Sequence, residues 1–155
     1  MPAQGAEAAG ARLPLLLAVI AAGGVAGSLA RYGLSLAVPW SGTGFPWATF
    51  MINVGGSALM GVLMPLIAED GRRAHALVRP FAGVGVLGGF TTFSAYAGEF
   101  HTLMEHGRPG TALLYAGATV VCCVAGVLLA ATATRAWTAR RARRVRAAQD
   151  GRRGR

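Results

Sequence analysis

A run of glycine and hydroxyl residues, from Gly88 to Ser94, interrupts an otherwise apolar part of the chain. Paired glycines favour a break in a helix, and a break at membrane depth is tolerated only where protein or water covers the freed backbone. Carbonyl groups freed in this way can bind Na⁺. The alternative is a simple glycine kink in which Thr91, Thr92 and Ser94 bond their own helix backbone.

Aromatic and acidic side chains follow this run at a spacing of three residues: Phe93, Tyr96 and Glu99. An aromatic ring has a negative face and a positive edge, so ring edges can contact a small anion without supplying a full counter-charge. A packed aromatic stripe is the commoner meaning of such spacing. Glu99 would oppose an anion in a pore, but it lies near the end of its apolar stretch.

A second polar face comprises Asn53, Ser57 and Gly61, which lie four residues apart on one helix face. The small residues Ser57 and Gly61 favour close helix packing. Asn53 differs, because a buried amide must place two donors and an acceptor. We therefore expect Asn53 to line a polar path.

A third polar face comprises Tyr115, Thr119 and Cys123, again four residues apart. These side chains would form a hydroxyl and thiol track, or Thr119 would bond its own helix backbone. Both interpretations stay open. The adjacent pair Cys122 and Cys123 matches no zinc or redox spacing.

Arg31 ends the first uncharged stretch. As an interfacial residue, it would extend its charged group to the membrane surface and need no special role. As an inward-facing cation, it would raise the concentration of anions at the mouth of a pore.

The elements that must position these residues are apolar helices. Four stretches carry no charged side chain, at 13–30, 32–68, 80–98 and 109–134. A spanning helix needs about 20 apolar residues, and the second stretch contains a turn-rich loop between Pro39 and Pro46. The fold class predicted is an all-α integral membrane protein with four transmembrane helices, spanning roughly 13–38, 47–68, 80–103 and 110–134.

Arginine counting predicts the topology. Four spans place both termini and the 69–79 loop on one side, which carries 13 arginines, against two (Arg31 and Arg108) on the other. The positive-inside rule therefore places both termini in the cytoplasm of a multi-pass cell-membrane protein. The tails are 1–12 and 135–155. The arginine-rich second tail is predicted to lie on anionic lipid. A nucleic-acid site is disfavoured because this tail has only one aromatic residue to stack on bases.

Composition supports this class of protein. The chain of 155 residues is 54% hydrophobic and 14% charged, whereas soluble domains average about 25% charged. This excludes a disordered chain, and two adjacent cysteines exclude a disulfide scaffold. No catalytic pair or triad lies within the spans, so we expect no enzyme.

Four motifs, in the right spans and order, resemble the CrcB/Fluc family of fluoride channels. They are Gly23-Gly24-Val25-Ala26-Gly27 leading to Arg31-Tyr32, Asn53-Val54-Gly55-Gly56-Ser57, Gly88-Gly89-Phe90-Thr91-Thr92-Phe93-Ser94, and the continuation to Glu99. The similarity covers about residues 14–134.

The resemblance implies a subunit with a broken third helix, paired in an antiparallel, dual-topology-type dimer with two fluoride pathways. It also implies one structural Na⁺ on the dimer axis, held by backbone carbonyls that map to Gly88 and Thr91. The candidate anion pathway consists of Arg31, Asn53, Thr92, Phe93, Ser94, Tyr96, Tyr115, Thr119 and Cys123.

The sequence departs from the family at three of these positions. Tyr96 stands where the family usually has Phe, and Thr119 and Cys123 stand where it usually has Ser. A tyrosine keeps the ring edge, but its hydroxyl could slow passage or change selectivity.

The arginine asymmetry also bears on the partner. An antiparallel homodimer requires one sequence to insert in both orientations, which 13 arginines against two oppose. The charge count therefore favours a heterodimer with an oppositely oriented paralogue over a homodimer.

The function predicted is a passive, fluoride-selective channel that exports toxic cytoplasmic fluoride. One alternative is a proton-coupled exporter of small solutes that uses Glu99 as its membrane carboxylate. Another is an assembly module that depends on the Gly23 to Gly27 packing motif and conducts nothing.

Overall fold

The computed structural model describes the backbone of residues 3–70 and 77–153, and the side chains of 13–67 and 77–144. Within those residues every regular element is helical. In chain order these are α1 (Ala3–Ala37), α2 (Trp47–Asp70), a π-helical segment (Arg79–Leu87), a short α-helical turn (Gly88–Phe90), α3 (Ser94–Glu105) and α4 (Pro109–Arg153). Arg72 and Arg73, which support the predicted topology, lie outside the described residues.

Two helices are longer than the predicted spans. α1 begins at Ala3 instead of residue 13, and α4 continues to Arg153 instead of ending near 134. The fall in hydropathy after 134 marks the end of an apolar segment and not the end of a helix. Alanine and arginine, which dominate 135–153, are both strong helix formers, so the helix continues.

In the part of the chain that the structure describes, three helices are long and apolar enough to cross a membrane, at Leu13–Ala37, Trp47–Ile67 and Pro109–Arg144. The predicted third span, 80–103, is divided among shorter segments. The interruption expected there is confirmed at Thr91, which has extended backbone with φ −77° and ψ 155°. The π-helical turns before it were not predicted, because hydropathy does not distinguish an i→i+5 from an i→i+4 hydrogen-bonding pattern.

Glycines bring α1 against the π-helical segment at backbone distance. A Cβ atom added to Gly27 would overlap the carbonyl of Val86, and one added to Gly85 would contact the backbone of Ile20 and Gly23. Residue numbers rise together along both elements, so the two run parallel. The GxxxG motif predicted for packing performs that role here.

α2 and α4 also pack in parallel, since Gly61 lies against Val127 and Ala130. The third segment runs the other way beside both, because Asn53 contacts Thr92 while Thr49 contacts the later residue Glu99. Neighbouring segments therefore alternate in direction, as sequential membrane spans must.

A glycine closes the α3–α4 turn. Gly107 has φ +69°, a left-handed conformation that costs a glycine little. The amide of Arg108 donates to Leu103 at 2.9 Å and that of Gly107 to Met104 at 3.1 Å, which is the Schellman pattern. This turn brings Leu103, Ala112 and Tyr115 together in a small buried cluster.

Candidate functional site: a polar groove at the helix break

A groove of about 540 Å³ lies between α2, the break and α4. Eight of the eleven predicted site residues line it: Asn53, Gly88, Thr91, Thr92, Phe93, Tyr96, Thr119 and Cys123, joined by Ser57, Val120 and Val124. Arg31, Ser94 and Tyr115 are not part of its lining. One wall is open in the single chain, where the Phe93 side chain is 78% exposed.

Asn53 holds the break in place through both polar atoms of its side chain. Its Nδ2 donates to the Thr92 carbonyl at 2.9 Å, and its Oδ1 accepts from the Thr92 amide at 2.9 Å. The amide group thus replaces the helical partners that Thr92 loses at the break. Asn53 also lines the groove, and its amide nitrogen carries a second hydrogen that these two bonds leave unused.

The same contacts leave two carbonyls without their usual helical donors. In a continuous helix the amides of Thr92 and Ala95 would donate to Gly88 and Thr91. Instead, they donate to Asn53 Oδ1 at 2.9 Å and to Thr92 Oγ1 at 3.2 Å. The carbonyls that lose these donors belong to Gly88 and Thr91, the two that were predicted to bind Na⁺.

Arg31 is directed at the break and not at the groove. Its Nε donates to the Gly89 carbonyl at 3.1 Å, and Ser28 Oγ donates to the same oxygen at 3.4 Å. Arg31 lies within α1, which continues to Ala37. This contact places a cation beside a carbonyl of the broken segment, and the two interpretations of Arg31, as an interfacial residue or as a cation at a pore mouth, stay predictions.

The groove hydroxyls differ in where their protons point. Thr119 donates to its own helix at Tyr115 (2.6 Å), and Thr91 does so at Leu87 (2.9 Å), so both present lone pairs instead of protons. Thr92 Oγ1 accepts from the Ala95 amide and lies 3.3 Å from Ser94 Oγ. The Thr92 hydroxyl can therefore turn its proton to the groove.

Aromatic rings form the remaining wall. The ring centroids of Phe93 and Tyr96 are 5.7 Å apart, and those of Tyr96 and Tyr115 are 5.3 Å apart. The Tyr96 hydroxyl, the departure from the family pattern, donates to the Ala116 carbonyl at 3.2 Å. This bond holds the hydroxyl against α4, so we expect that it does not obstruct the groove.

Replacing Tyr96 with phenylalanine tests this placement. The variant keeps the ring and loses one hydrogen bond to a backbone carbonyl, so unfolding in detergent should become easier by about 1 kcal/mol. Ion flux through the groove should change by less than about threefold, because the lost hydroxyl does not face it. A flux increase of tenfold or more would show that the hydroxyl obstructs the path.

Glu99, which is one turn beyond Tyr96 and is not part of the groove lining, is held by two hydroxyls. Thr49 Oγ1 donates to Oε1 and Tyr115 OH donates to Oε2, both at 2.7 Å. Tyr115 is fully buried and Thr49 nearly so. Tyr115 thus contacts Glu99 from the protein interior, and its place in the anion pathway stays a prediction.

Two hydroxyl residues that contact this region were missed in the sequence: Thr49, which donates to Glu99, and Ser28, which donates to the Gly89 carbonyl. Thr49 lies one turn before Asn53 and extends the i, i+4 series of Asn53, Ser57 and Gly61. Ser28 lies three residues before Arg31 on the same face of α1. Helical spacing from a residue already singled out would have found each.

Comparison with known proteins agrees with this architecture. The family model described as "CrcB-like protein, Camphor Resistance (CrcB)" matches residues 18–131. That segment contains α2, the break and the whole groove.

Relatives of the chain carry names of ion channels. A Streptomyces coelicolor protein, "Fluoride-specific ion channel FluC 1", is 50% identical over 81% of this chain and 78% of its own length. A Nocardia farcinica protein, "Fluoride-specific ion channel FluC 2", is 48% identical over 84% of this chain and 92% of its own. A Thermus thermophilus protein, "Fluoride-specific ion channel FluC", is 48% identical over 63% and 78%.

These findings confirm the predicted resemblance. They also agree with a membrane protein, as the three apolar helices do, and with a function that is not enzymatic, because ion channels are not enzymes. The family model covers well over half of the sequence, and the matched region contains the interruption, the groove and most of the three apolar helices. The chain belongs to the CrcB-like family.

Proposed function

We propose that this chain is a subunit of a passive, fluoride-selective channel, with four membrane spans and with the groove at the helix break as part of the ion path. The observation that carries the proposal is the groove itself, which is lined by the amide residue Asn53, the hydroxyl residue Thr92 and the aromatic residues Phe93 and Tyr96. The names of the relatives give the same ion.

The groove suits an anion that must lose water in steps. A buried unpaired charge is very costly, so a pore has to replace the hydrogen bonds of water with its own donors. Asn53, Thr92 and the edges of Phe93 and Tyr96 supply several weak contacts and no full positive charge. Weak contacts also allow release, which conduction requires. A negative-inside potential then drives the anion out of the cell.

The carbonyls of Gly88 and Thr91 fit a structural Na⁺. Hard oxygen donors suit such a cation, and both oxygens are available because their helical donors are engaged elsewhere. One chain offers two oxygens, so a second subunit would bring the total to four. A Na⁺ ion bound by these oxygens would link the helix break of one subunit to the helix break of the other.

The open wall of the groove supports a dimer. Phe93, at 78% exposure, is a large apolar ring that a second subunit would cover. We propose an antiparallel arrangement in which this chain keeps both termini in the cytoplasm. Because 13 arginines lie on that side and two on the other, an oppositely oriented paralogue is the favoured partner.

Purification of the tagged chain from cells that lack any paralogue tests the partner. A heterodimer predicts no fluoride flux from the chain alone and full flux when both chains are produced together. If the single chain formed conducting dimers by itself, the heterodimer would be refuted and the homodimer would be the partner arrangement.

Fluoride efflux from proteoliposomes tests the function. A fluoride electrode should record rapid loss of fluoride, while a matched chloride-loaded sample retains its chloride. Vesicles without protein set the leak. If neither preparation, single chain or both chains, released fluoride faster than empty vesicles, the channel proposal would fail.

Glu99→Gln separates the channel from the proton-coupled exporter. The carboxylate accepts two hydroxyl donors, and glutamine still accepts one, so the fold should survive with roughly 1–3 kcal/mol lost. A channel should keep efflux that is slowed by less than about tenfold and is indifferent to an imposed pH gradient. A coupled exporter should lose its transport, since its proton carrier is gone.

A further inference from the structure

A second groove lies at the other end of α2, beside the point where α4 leaves its apolar stretch. It has a volume of about 340 Å³ and is lined by Val62, Leu66, Ala133, Thr134 and Trp137. Its one hydroxyl, on Thr134, is turned back to the Ala130 carbonyl at 2.8 Å. The lining is therefore almost entirely apolar apart from the indole of Trp137.

This groove coincides with the expected edge of the hydrocarbon layer. The uncharged stretch 109–134 is about 39 Å long as a helix, slightly more than the roughly 30 Å of a bilayer core. Trp137 follows within one turn and is 56% exposed, as interfacial tryptophans are. One end of the groove therefore faces lipid chains and the other faces headgroups.

Among the side chains described, which end at residue 144, three arginines continue the groove face of α4 beyond Trp137. Helical periodicity places Arg140, Arg141 and Arg144 on the side of Ala133 and Trp137, and places Arg135 and Arg143 on the remaining sides. All five arginines are exposed.

Arg141 is already oriented at the rim. Its Cζ lies 5.6 Å from the centroid of the Trp137 ring. A cation–π contact with the ring uses none of the five guanidinium N–H groups in a hydrogen bond, and these form the fork that binds phosphate oxygens.

We propose that this groove binds one anionic phospholipid, with an acyl chain against Val62 and Leu66 and the phosphate on the arginines that follow Trp137. The apolar lining and the adjacent cations match the two halves of such a molecule. A nucleic acid would use the cations but not the groove. Diffuse attraction to a charged membrane would use all five arginines equally, and this difference makes the site testable.

Fluorescence quenching of Trp137 measures the site directly. The full chain with Trp40→Phe and Trp47→Phe leaves Trp137 as the single tryptophan. It is reconstituted in phosphatidylcholine vesicles that contain dibrominated phosphatidylglycerol or dibrominated phosphatidylcholine as quencher. We expect phosphatidylglycerol to be preferred by roughly fivefold or more, since about 1 kcal/mol from a single interfacial arginine already gives that ratio.

Two charge-matched pairs of substitutions separate a site from a diffuse field. Arg141→Gln with Arg144→Gln should abolish the preference, whereas Arg135→Gln with Arg143→Gln should retain at least half of it. Equal losses in the two pairs, or no loss in the first, would overturn the proposal.

Native mass spectrometry of the chain with all three tryptophans gives an independent reading. The unaltered protein and the Arg135, Arg143 pair should each retain one phosphatidylglycerol per chain, and the Arg141, Arg144 pair should lose it. Retention by all three, or by none, would contradict a site at this groove.

Discussion

Replacing Asn53 with leucine should abolish fluoride efflux. Leucine has a similar volume, so the change creates little cavity, but it removes both hydrogen bonds to the Thr92 backbone. Each unpaired buried group costs about 1–3 kcal/mol. The groove also loses an anion donor. We expect efflux to fall by at least a hundredfold and unfolding in detergent to become easier by roughly 2–6 kcal/mol.

Ser57→Ala is the matched control for Asn53→Leu. Ser57 lies one turn further along the same face of α2 and lines the same groove. Its loss should change efflux by less than about threefold. An Asn53→Leu protein that conducts fluoride within twofold of the original would refute the role assigned to the amide.

A single methyl group on Gly27 should destabilise the subunit more than any surface change. Its Cβ would overlap the backbone of Val86 and press on Phe90 at the start of the break. Because backbone atoms cannot rotate away, the two elements must separate, and overpacking of this kind typically costs 1–3 kcal/mol, occasionally more. The Gly27→Ala protein should unfold at lower temperature in detergent and lose most of its fluoride efflux.

Gly33→Ala provides the comparison on the same helix. A Cβ at Gly33 meets no atom within 4 Å in the described structure, so its thermal midpoint should stay within a few degrees. If Gly27→Ala and Gly33→Ala unfolded alike, the close approach of α1 to the π-helical segment would not contribute to stability.

The apolar architecture could be predicted from the sequence because charge is scarce and concentrated at segment ends. Three of the predicted spans correspond to long apolar helices, and the Gly88 to Ser94 run marked the interruption. Hydropathy located the ends of the apolar stretches but not the ends of α1 and α4. The residues beyond the apolar stretches still favour helix, so both helices continue past them.

Side-chain partners were the part that sequence could not supply. The bond from Arg31 to the Gly89 carbonyl and the bond from Tyr115 to Glu99 could not be predicted. Both depend on which elements face each other, and helix spacing within one element carries no information about that. Asn53 could be singled out because a buried amide demands partners, although the sequence did not show that its partner is Thr92.

The central claim is that this chain conducts fluoride passively, and the reversal potential in a planar bilayer tests it most directly. With a tenfold fluoride gradient and equal pH on both sides, the current should reverse near 59 mV, the value for a perfectly selective univalent ion. A pH gradient should not move this potential, and a chloride gradient should give no current. A reversal potential that follows the pH gradient, or one that responds equally to chloride, would contradict the account.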